Sequence, residues 1–340
     1  MSEGTKHEPG TPSWADLGTT DAEAAVQFYA GLFGWEAENT PAGPAGTYVM
    51  CRLEGKDVVG LYEQDEAMRS RGVPPLWLVY ISVDDVSASA KAVEEAGGTV
   101  HAQPFDVAEA GRMALVQDPT GAMFGLWQAG NRAGAETLHQ PGAMDWFELA
   151  THDPEKAGAF YEKVLGWTVN AEEFDGTPYT TCLRGEEPVA GILPAEALPE
   201  GVAPNWSLYF AVKDCAATVE KAQQTGGELL FGPHEMPRVG QFAGLRDPQG
   251  AAFAVIQPTS TDEGKDDGGS ENEQSEGEQS KGEHSGDHEV EGAQSGSSDE
   301  EGNETSHDTG SGEPNEQIAE KKNDRGESQA DGEEEESGIR

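Results

Sequence analysis

Apolar and polar positions alternate in short segments that predict one strand, one helix and then three strands. Residues 13–19 have the pattern of a strand, and Thr20 and Glu23 form a capping box for a helix that ends near Phe33. Three further strands are predicted near residues 35–38, 47–53 and 57–62. The segment therefore has the order of a βαβββ unit.

The same order follows a second time. An apolar strand runs from Leu76 to Val83, Asp84 or Asp85 caps a helix that continues to Ala96, and Gly97 stops it. Strands near residues 99–103, 112–117 and 122–128 complete this second unit.

A longer repeat shows that the pair of units is itself duplicated. The segment that begins Phe28-Tyr29 and ends Gly34-Trp35 recurs as Phe160-Tyr161 to Gly166-Trp167, and Asp118-Pro-Thr-Gly recurs as Asp247-Pro-Gln-Gly. The two spacings differ by three residues, which is one small loop change. We predict a flexible N-terminus, a first domain, a linker, a second domain and a tail, at residues 1–10, 11–130, 131–141, 142–258 and 259–340.

Charge is distributed unevenly along the chain. The 340 residues carry 21 basic and 64 acidic side chains, a net charge of −43, and residues 261–340 hold 27 of the acidic and six of the basic ones. That segment contains no aromatic residue. It cannot bury enough apolar surface to offset its ordering entropy, so the tail is predicted to be disordered.

The same composition excludes several function classes. An acidic body and tail repel phosphate backbones and anionic lipid, so we expect neither nucleic acid nor membrane as a partner. The longest apolar run, Leu76 to Ile81, is far shorter than a membrane span, and the N-terminus lacks a signal sequence, so we expect a cytoplasmic protein. Cys51, Cys182 and Cys215 are widely spaced and are expected to be reduced core residues.

A sheet with one helix has an uncovered face, so two paired units form a cup. The order and repetition of the motifs resemble the vicinal-oxygen-chelate superfamily, also called the glyoxalase, bleomycin-resistance and dioxygenase superfamily, over residues 11–258. The chain resembles in particular the tandem glyoxalase-like proteins of actinobacteria that are often labelled hydroxylases. The resemblance implies an α+β fold, with tandem glyoxalase-like domains built from four βαβββ units that form cup-shaped mixed sheets.

The resemblance also allows a test for a metal site. Metal-using members of the superfamily place His or Gln on the first strand of a unit and Glu near the end of the last strand. The corresponding positions here hold no competent ligand; they are Trp14, Gly60, Leu78, Gly125, Trp146, Gly191, Ser207 and Ala254. We therefore predict no cofactor, with a divalent metal as the weaker alternative.

Without metal ligands, the predicted cup is lined mainly by aromatic side chains. Asp16 and Glu148 follow Trp14 and Trp146 by two residues, which places each pair on one face of a strand. Each carboxylate is either a surface group or a cup-facing acid or base with a pKa raised by burial, and Tyr80 and Tyr209 are candidate polarising groups. The predicted substrate-binding residues are Trp14, Leu78, Arg112, Trp127, Trp146, Ser207 and Ile256. Glycines at ligand positions are expected to deepen the pocket.

Three functions fit this pattern. The first is metal-free binding or sequestration of a planar or cationic small molecule, in the manner of bleomycin-resistance proteins. The second is a glyoxalase-type lyase or isomerase, or an oxygenase (hydroxylase), acting on a small carbonyl or aromatic substrate. The third is an interaction protein that acts through its acidic tail. The chain is expected to be a monomer with an internal pseudo-twofold axis or a homodimer.

Overall fold

The computed structural model describes residues 7–41, 47–174, 176–194 and 203–259, all of which belong to one compact unit. The predicted disordered tail lies outside the described residues, apart from Thr259.

The first copy contains eight strands and three helices in the described residues. They are β1 (Pro12–Thr19), α1 (Ala22–Phe33), β2 (Glu36–Pro41), β3 (Thr47–Leu53), β4 (Lys56–Glu63), α2 (Glu66–Ser70), β5 (Leu76–Ser82), α3 (Val86–Glu95), β6 (Thr99–Val107), β7 (Gly111–Gln117) and β8 (Met123–Ala129). The short helix α2 was not predicted from the sequence.

The second copy repeats this order without a counterpart of α2 in the described residues. Its elements are β9 (Met144–Thr151), α4 (Pro154–Leu165), β10 (Thr168–Phe174), β11 (Thr177–Arg184), β12 (Glu187–Pro194), β13 (Asn205–Ala211), α5 (Cys215–Gln224), β14 (Glu228–Met236), β15 (Gly240–Arg246) and β16 (Ala252–Pro258).

Each copy forms one eight-stranded mixed sheet. In the first copy the strand order is β2-β3-β4-β1-β5-β8-β7-β6, and in the second it is β10-β11-β12-β9-β13-β16-β15-β14. The first strands of the two units, β1 and β5, pair antiparallel at the centre, and each pairs in parallel with the last strand of its own unit. The predicted arrangement of four βαβββ units is confirmed.

The helix boundaries follow local capping chemistry. The Asp21 carboxylate accepts a hydrogen bond from the Ala24 backbone N–H, and Gly34 adopts a left-handed conformation at the other end of α1. The predicted capping box at Thr20 is therefore displaced by one residue, because Asp21 supplies the cap. In the second copy Asp153 is the N-cap and Pro154 occupies the first helical position.

The two copies share one hydrophobic core. Helix α1 contacts α5 and α3 contacts α4, and one cluster of buried residues includes both sheets. Phe33 of α1 packs on Phe210 of β13 with ring centroids 4.8 Å apart, and Phe28 packs on Phe253 at 6.1 Å. The helix-covered faces of the two sheets are thus turned toward each other.

Two symmetric buried hydrogen bonds join the copies across this core. The Tyr29 hydroxyl donates to Asp247 Oδ2 at 3.0 Å and accepts the indole N–H of Trp77 at 3.0 Å. The symmetric pair is Tyr161 and Asp118, at 2.8 Å. Asp118 Oδ1 at the same time accepts backbone N–H groups of residues 120–122, so one carboxylate holds both its own turn and the opposite copy.

Part of the predicted flexible N-terminus is instead held by the second copy. The Trp167 indole N–H donates to the Gly10 carbonyl at 2.6 Å, and the Arg184 Nε donates to the Pro9 carbonyl at 2.7 Å. Residues 9 and 10 of the segment predicted to be flexible therefore make long-range hydrogen bonds that the local sequence does not indicate. Residues 1–6 lie outside the described residues.

The three cysteines are buried and unpaired, as predicted. Burial raises the pKa of the Cys51 and Cys182 thiols to about 12, so they are protonated and unreactive at neutral pH. Across the described ranges, no helix is long and apolar enough to cross a membrane.

The shared core predicts one cooperative unfolding transition. Tyr29→Phe should lower the free energy of unfolding by about 1–3 kcal/mol, because it leaves the buried Trp77 N–H and an Asp247 oxygen unpaired. Tyr161→Phe should have a similar effect, whereas Glu155→Gln on the exposed face of α4 should change it by less than about 0.5 kcal/mol. Urea unfolding followed by tryptophan fluorescence and circular dichroism measures this, and two separate wild-type transitions would contradict it.

Candidate functional site

The alternation of side chains along β1 creates the candidate site. Ala15 and Leu17 are fully buried in the shared core, so Trp14, Asp16 and Gly18 point to the opposite, concave face of the sheet. In the second copy β9 repeats this alternation. Each concave face is directed away from the other copy, and the structure therefore contains two outward-facing cups.

A carboxylate and two tyrosines form the centre of the first cup. The Tyr80 hydroxyl donates to Asp16 Oδ2 at 3.1 Å, and the Trp14 indole N–H donates to the Tyr48 hydroxyl at 2.9 Å. Asp16 is 7% exposed, and its Oδ1 atom is buried without a hydrogen-bond partner in the described residues. Asp16 also has no ion-pair partner there.

Burial without a cation changes the acidity of Asp16. It raises the pKa of this carboxyl to about 7, although hydrogen bonds from Tyr80 and Tyr48 oppose the shift. Burial also raises the pKa of both tyrosines well above the usual range, so their hydroxyls remain protonated donors at neutral pH. The cup therefore holds one group that gains or loses a proton close to neutral pH.

The second cup contains a homologous network with a longer carboxylate. The Tyr209 hydroxyl donates to Glu148 Oε1 at 2.8 Å, and the Tyr179 hydroxyl donates to Oε2 at 3.1 Å. The Trp146 indole N–H donates to Tyr179 at 2.9 Å, as Trp14 does to Tyr48. Burial raises the pKa of Glu148, and the two tyrosines partly offset this shift.

The glycines at ligand positions do not deepen the cups, contrary to our expectation. A side chain at Gly60 would collide with the Tyr48 ring, at Gly125 with Tyr80, and at Gly191 with Tyr179. The glycines are needed because tyrosine rings occupy the space that a metal ligand would take.

Most of the other predicted site residues lie on the cup faces. Leu78 is paired directly opposite Asp16, and Ser207 is paired opposite Glu148. Trp127 shares the face of Gly125, and its indole N–H donates to the Arg132 carbonyl. Ile256 belongs to the cluster formed by Trp146, Val239, Phe242, Tyr209 and Ala254.

Arg112 is not brought to either cup. It shares a face of β7 with the core residue Ala114 and lines a surface hollow beside Lys91 and Glu94 of helix α3. Its Nε forms an ion pair with Asp106 at 2.8 Å. The side-chain alternation of β7 places it on the helix-covered side of the sheet.

Sequence reasoning missed Tyr48 and Tyr179, which complete the two networks. Both lie near the start of the third strand of their unit and recur between the copies. Their recurrence was the available signal, but their role depends on the pairing of β3 with β4 and of β11 with β12.

The outer strands of the second copy add an exposed aromatic group. Phe231 is 43% exposed, stacks on His234 with a 12° interplanar angle, and contacts the edge of Phe242. Phe242 also packs in the Ile256 cluster, so this group extends from the second cup to its rim.

The donor set of the described residues does not fit the metal centre implied by the resemblance. No group of three or more His, Cys, Asp or Glu side chains converges in the described ranges. Each cup contains one carboxylate surrounded by phenol donors, and a protonated phenol is a poor ligand compared with imidazole or carboxylate.

Comparison with known proteins defines the family. The model of the Glyoxalase/Bleomycin resistance protein/Dioxygenase superfamily matches residues 11–126 and again residues 143–255. The chain belongs to this superfamily, with two tandem domains.

Individual relatives agree with this assignment. A protein named putative glyoxylase CFP32 from Mycobacterium tuberculosis is 42% identical over 260 residues, which cover 76% of this chain and 98% of that protein. The anthracycline biosynthesis protein DnrV of Streptomyces peucetius is 38% identical over 263 residues, 74% of this chain and 95% of that protein.

Solved structures share the fold at low sequence identity. The Mn(II)-bound glyoxalase from Novosphingobium aromaticivorans superposes with a TM-score of 0.50 at 18% identity, covering 75% of this chain and 85% of that one. The 2,2',3-trihydroxybiphenyl 1,2-dioxygenase from Sphingomonas wittichii gives 0.51 at 16% identity, covering 74% and 91%.

The raised pKa of Asp16 predicts a pH-dependent stability. Between the unfolded pKa of about 4 and the folded pKa of about 7, the folded state binds more protons, so wild-type stability is lost as pH rises through this window. Relative to Asp16→Asn, the wild-type free energy of unfolding should fall by up to ~1.4 kcal/mol per pH unit and level off above pH 7. Urea unfolding from pH 4 to 8 measures the difference, and a difference that does not change with pH would contradict it.

Proposed function

We propose that this protein binds or sequesters a planar or cationic small molecule in an aromatic cup without a metal. The observation that carries the proposal is the buried carboxylate of each cup, which lies among aromatic rings and has no ion-pair partner among the described residues. A ligand with an amine or a similar cation would supply the missing positive charge.

The aromatic walls support a flat ligand. Trp14, Tyr48 and Tyr80 surround Asp16, and Trp127 shares their face of the sheet. Aromatic faces attract both flat π systems and cations, and the attraction is larger where water is excluded. The second cup offers Trp146, Tyr179 and Tyr209 around Glu148, with Phe242 beside them.

The relatives supply a candidate ligand class. One of them is named for anthracycline biosynthesis, and anthracyclines are flat polycyclic aromatic compounds. We propose an aromatic amine of this general shape as the ligand.

A second candidate function is acid–base catalysis at the same group. A carboxyl with a pKa of about 7 is suited to remove a proton from a carbon next to a carbonyl and return it to another atom, while the Tyr80 hydroxyl donates a hydrogen bond nearby. A lyase or isomerase of the glyoxalase type would use this chemistry, and relatives named glyoxylase favour it. Loss of turnover with retained binding in Asp16→Asn would support catalysis over sequestration.

The binding proposal predicts a pH-dependent affinity. A cation binds the ionised form of Asp16, whereas the facing tyrosines Tyr48, Tyr62 and Tyr80 stay neutral, so affinity rises as the pH passes the pKa of the free carboxyl. We expect the affinity for an anthracycline amine to rise by about tenfold from pH 6 to pH 8. Fluorescence titration measures it, with the N-acetylated, uncharged compound as the control. Equal pH dependence for both compounds would contradict the proposed role of the carboxylate.

The metal-free part of the proposal has its own test. Elemental analysis of protein purified from its native host without chelator should find no stoichiometric transition metal after dialysis. Retention of about one metal per cup would overturn this part and favour a metal-dependent lyase or oxygenase.

A further inference from the structure

The two cups share a fold but differ in the hydrogen bonds that their carboxylates accept. Glu148 accepts a tyrosine hydrogen bond on each of its two oxygens. Asp16 accepts one on Oδ2, and Oδ1 is left buried without a partner in the described residues. Asp is one methylene shorter than Glu, and the hydroxyls of Tyr80 and Tyr48 leave its Oδ1 unpaired in the described residues.

A second difference lies next to these carboxylates. In the first cup Tyr62 of β4 is paired with Gly18, and a side chain at Gly18 would collide with the Tyr62 hydroxyl. The equivalent pair in the second cup is Leu193 and Ala150. The Tyr62 hydroxyl makes no hydrogen bond within the described residues, so the first cup has both an unpaired acceptor and an unpaired hydroxyl.

An unpaired buried acceptor has lost its hydrogen bonds to water without replacement, and such groups are rare in folded proteins. A ligand that brings an N–H or O–H donor supplies this replacement in the first cup, whereas in the second cup it would have to replace existing hydrogen bonds. Oδ1 is covered in this conformation, so a donor reaches it by displacing a neighbouring side chain. Tyr62 is a candidate for this displacement, because its half-buried side chain makes no hydrogen bond among the described residues that the movement would break.

We propose that the first cup is the ligand-binding cup, in which Asp16 Oδ1 accepts a hydrogen bond from an amine or hydroxyl of the ligand, with Tyr62 as a specificity residue. The second cup, with Glu148 satisfied by Tyr179 and Tyr209, has a structural role. This inference rests on the proposed binding function and assigns it to one of the two copies.

The first arm of the test is a titration with proflavine, a flat diaminoacridine cation, at pH 8. Calorimetry should show one equivalent bound per wild-type chain. Asp16→Asn should weaken binding by at least about tenfold, as expected for loss of a charge-assisted hydrogen bond, and Glu148→Gln by less than about twofold. Two equivalent sites, or the larger loss in Glu148→Gln, would overturn the proposal.

The second arm transfers the features of the first cup to the second. Glu148→Asp combined with Leu193→Tyr recreates the short carboxylate and the added tyrosine, and should add a second bound equivalent. Tyr62→Leu in the first cup should change the preference between proflavine and its mono-amino analogue. If the double variant is folded and still binds one equivalent, the unpaired oxygen does not determine binding.

A third arm needs no ligand. At pH 8, Glu148→Gln should lower the urea midpoint because it disrupts two satisfied hydrogen bonds, while Asp16→Asn should leave it unchanged or raise it. Absence of proflavine binding with these midpoints would overturn the ligand assignment and the proposed function for this compound class. The opposite order of midpoints would overturn the asymmetry itself, whether or not proflavine binds.

Discussion

The hydrogen bonds between a helix tyrosine of one copy and a turn aspartate of the other determine how the molecule is organised. Tyr29 with Asp247 and Tyr161 with Asp118 are buried in a core that both copies share. Because these bonds hold the helix-covered faces together, each sheet can present only its concave face outward. The position of both candidate sites therefore follows from the contact between the copies.

The acidity of the cup carboxylates follows from their surroundings: the fold buries each carboxylate away from water, and no cation lies beside it in the described residues. A group placed in this way is stabilised in its protonated form, and Asp16 accordingly has a pKa of about 7. Tyrosine rings fill the space above Gly60 and Gly125, where metal ligands would otherwise project. The chain belongs to the Glyoxalase/Bleomycin resistance protein/Dioxygenase superfamily, and in the described residues each of its cups presents one carboxylate among phenol hydroxyls.

The duplication leaves room for the copies to differ. Both copies contain the Trp–Tyr–carboxylate network, so the same side chains pack together at the centre of each cup. The carboxylate length and the Tyr62 position differ, and these are the features that decide whether a polar atom is left unpaired. The duplicated fold thus keeps one network in both copies while the hydrogen bonding of the two carboxylates differs.

The sequence by itself determined the fold class, the four βαβββ units and the repeated motifs, because side-chain periodicity and capping are local and recur between the copies. It also indicated Asp16 and Glu148, since alternation along one strand places them beside Trp14 and Trp146. The tertiary structure decided which groups meet them. Tyr48 and Tyr179 reach the carboxylates through the pairing of their strands with others. Arg112 lies on the opposite face, and the unpaired Oδ1 depends on which hydroxyls the folded chain brings to Asp16, which no local pattern encodes.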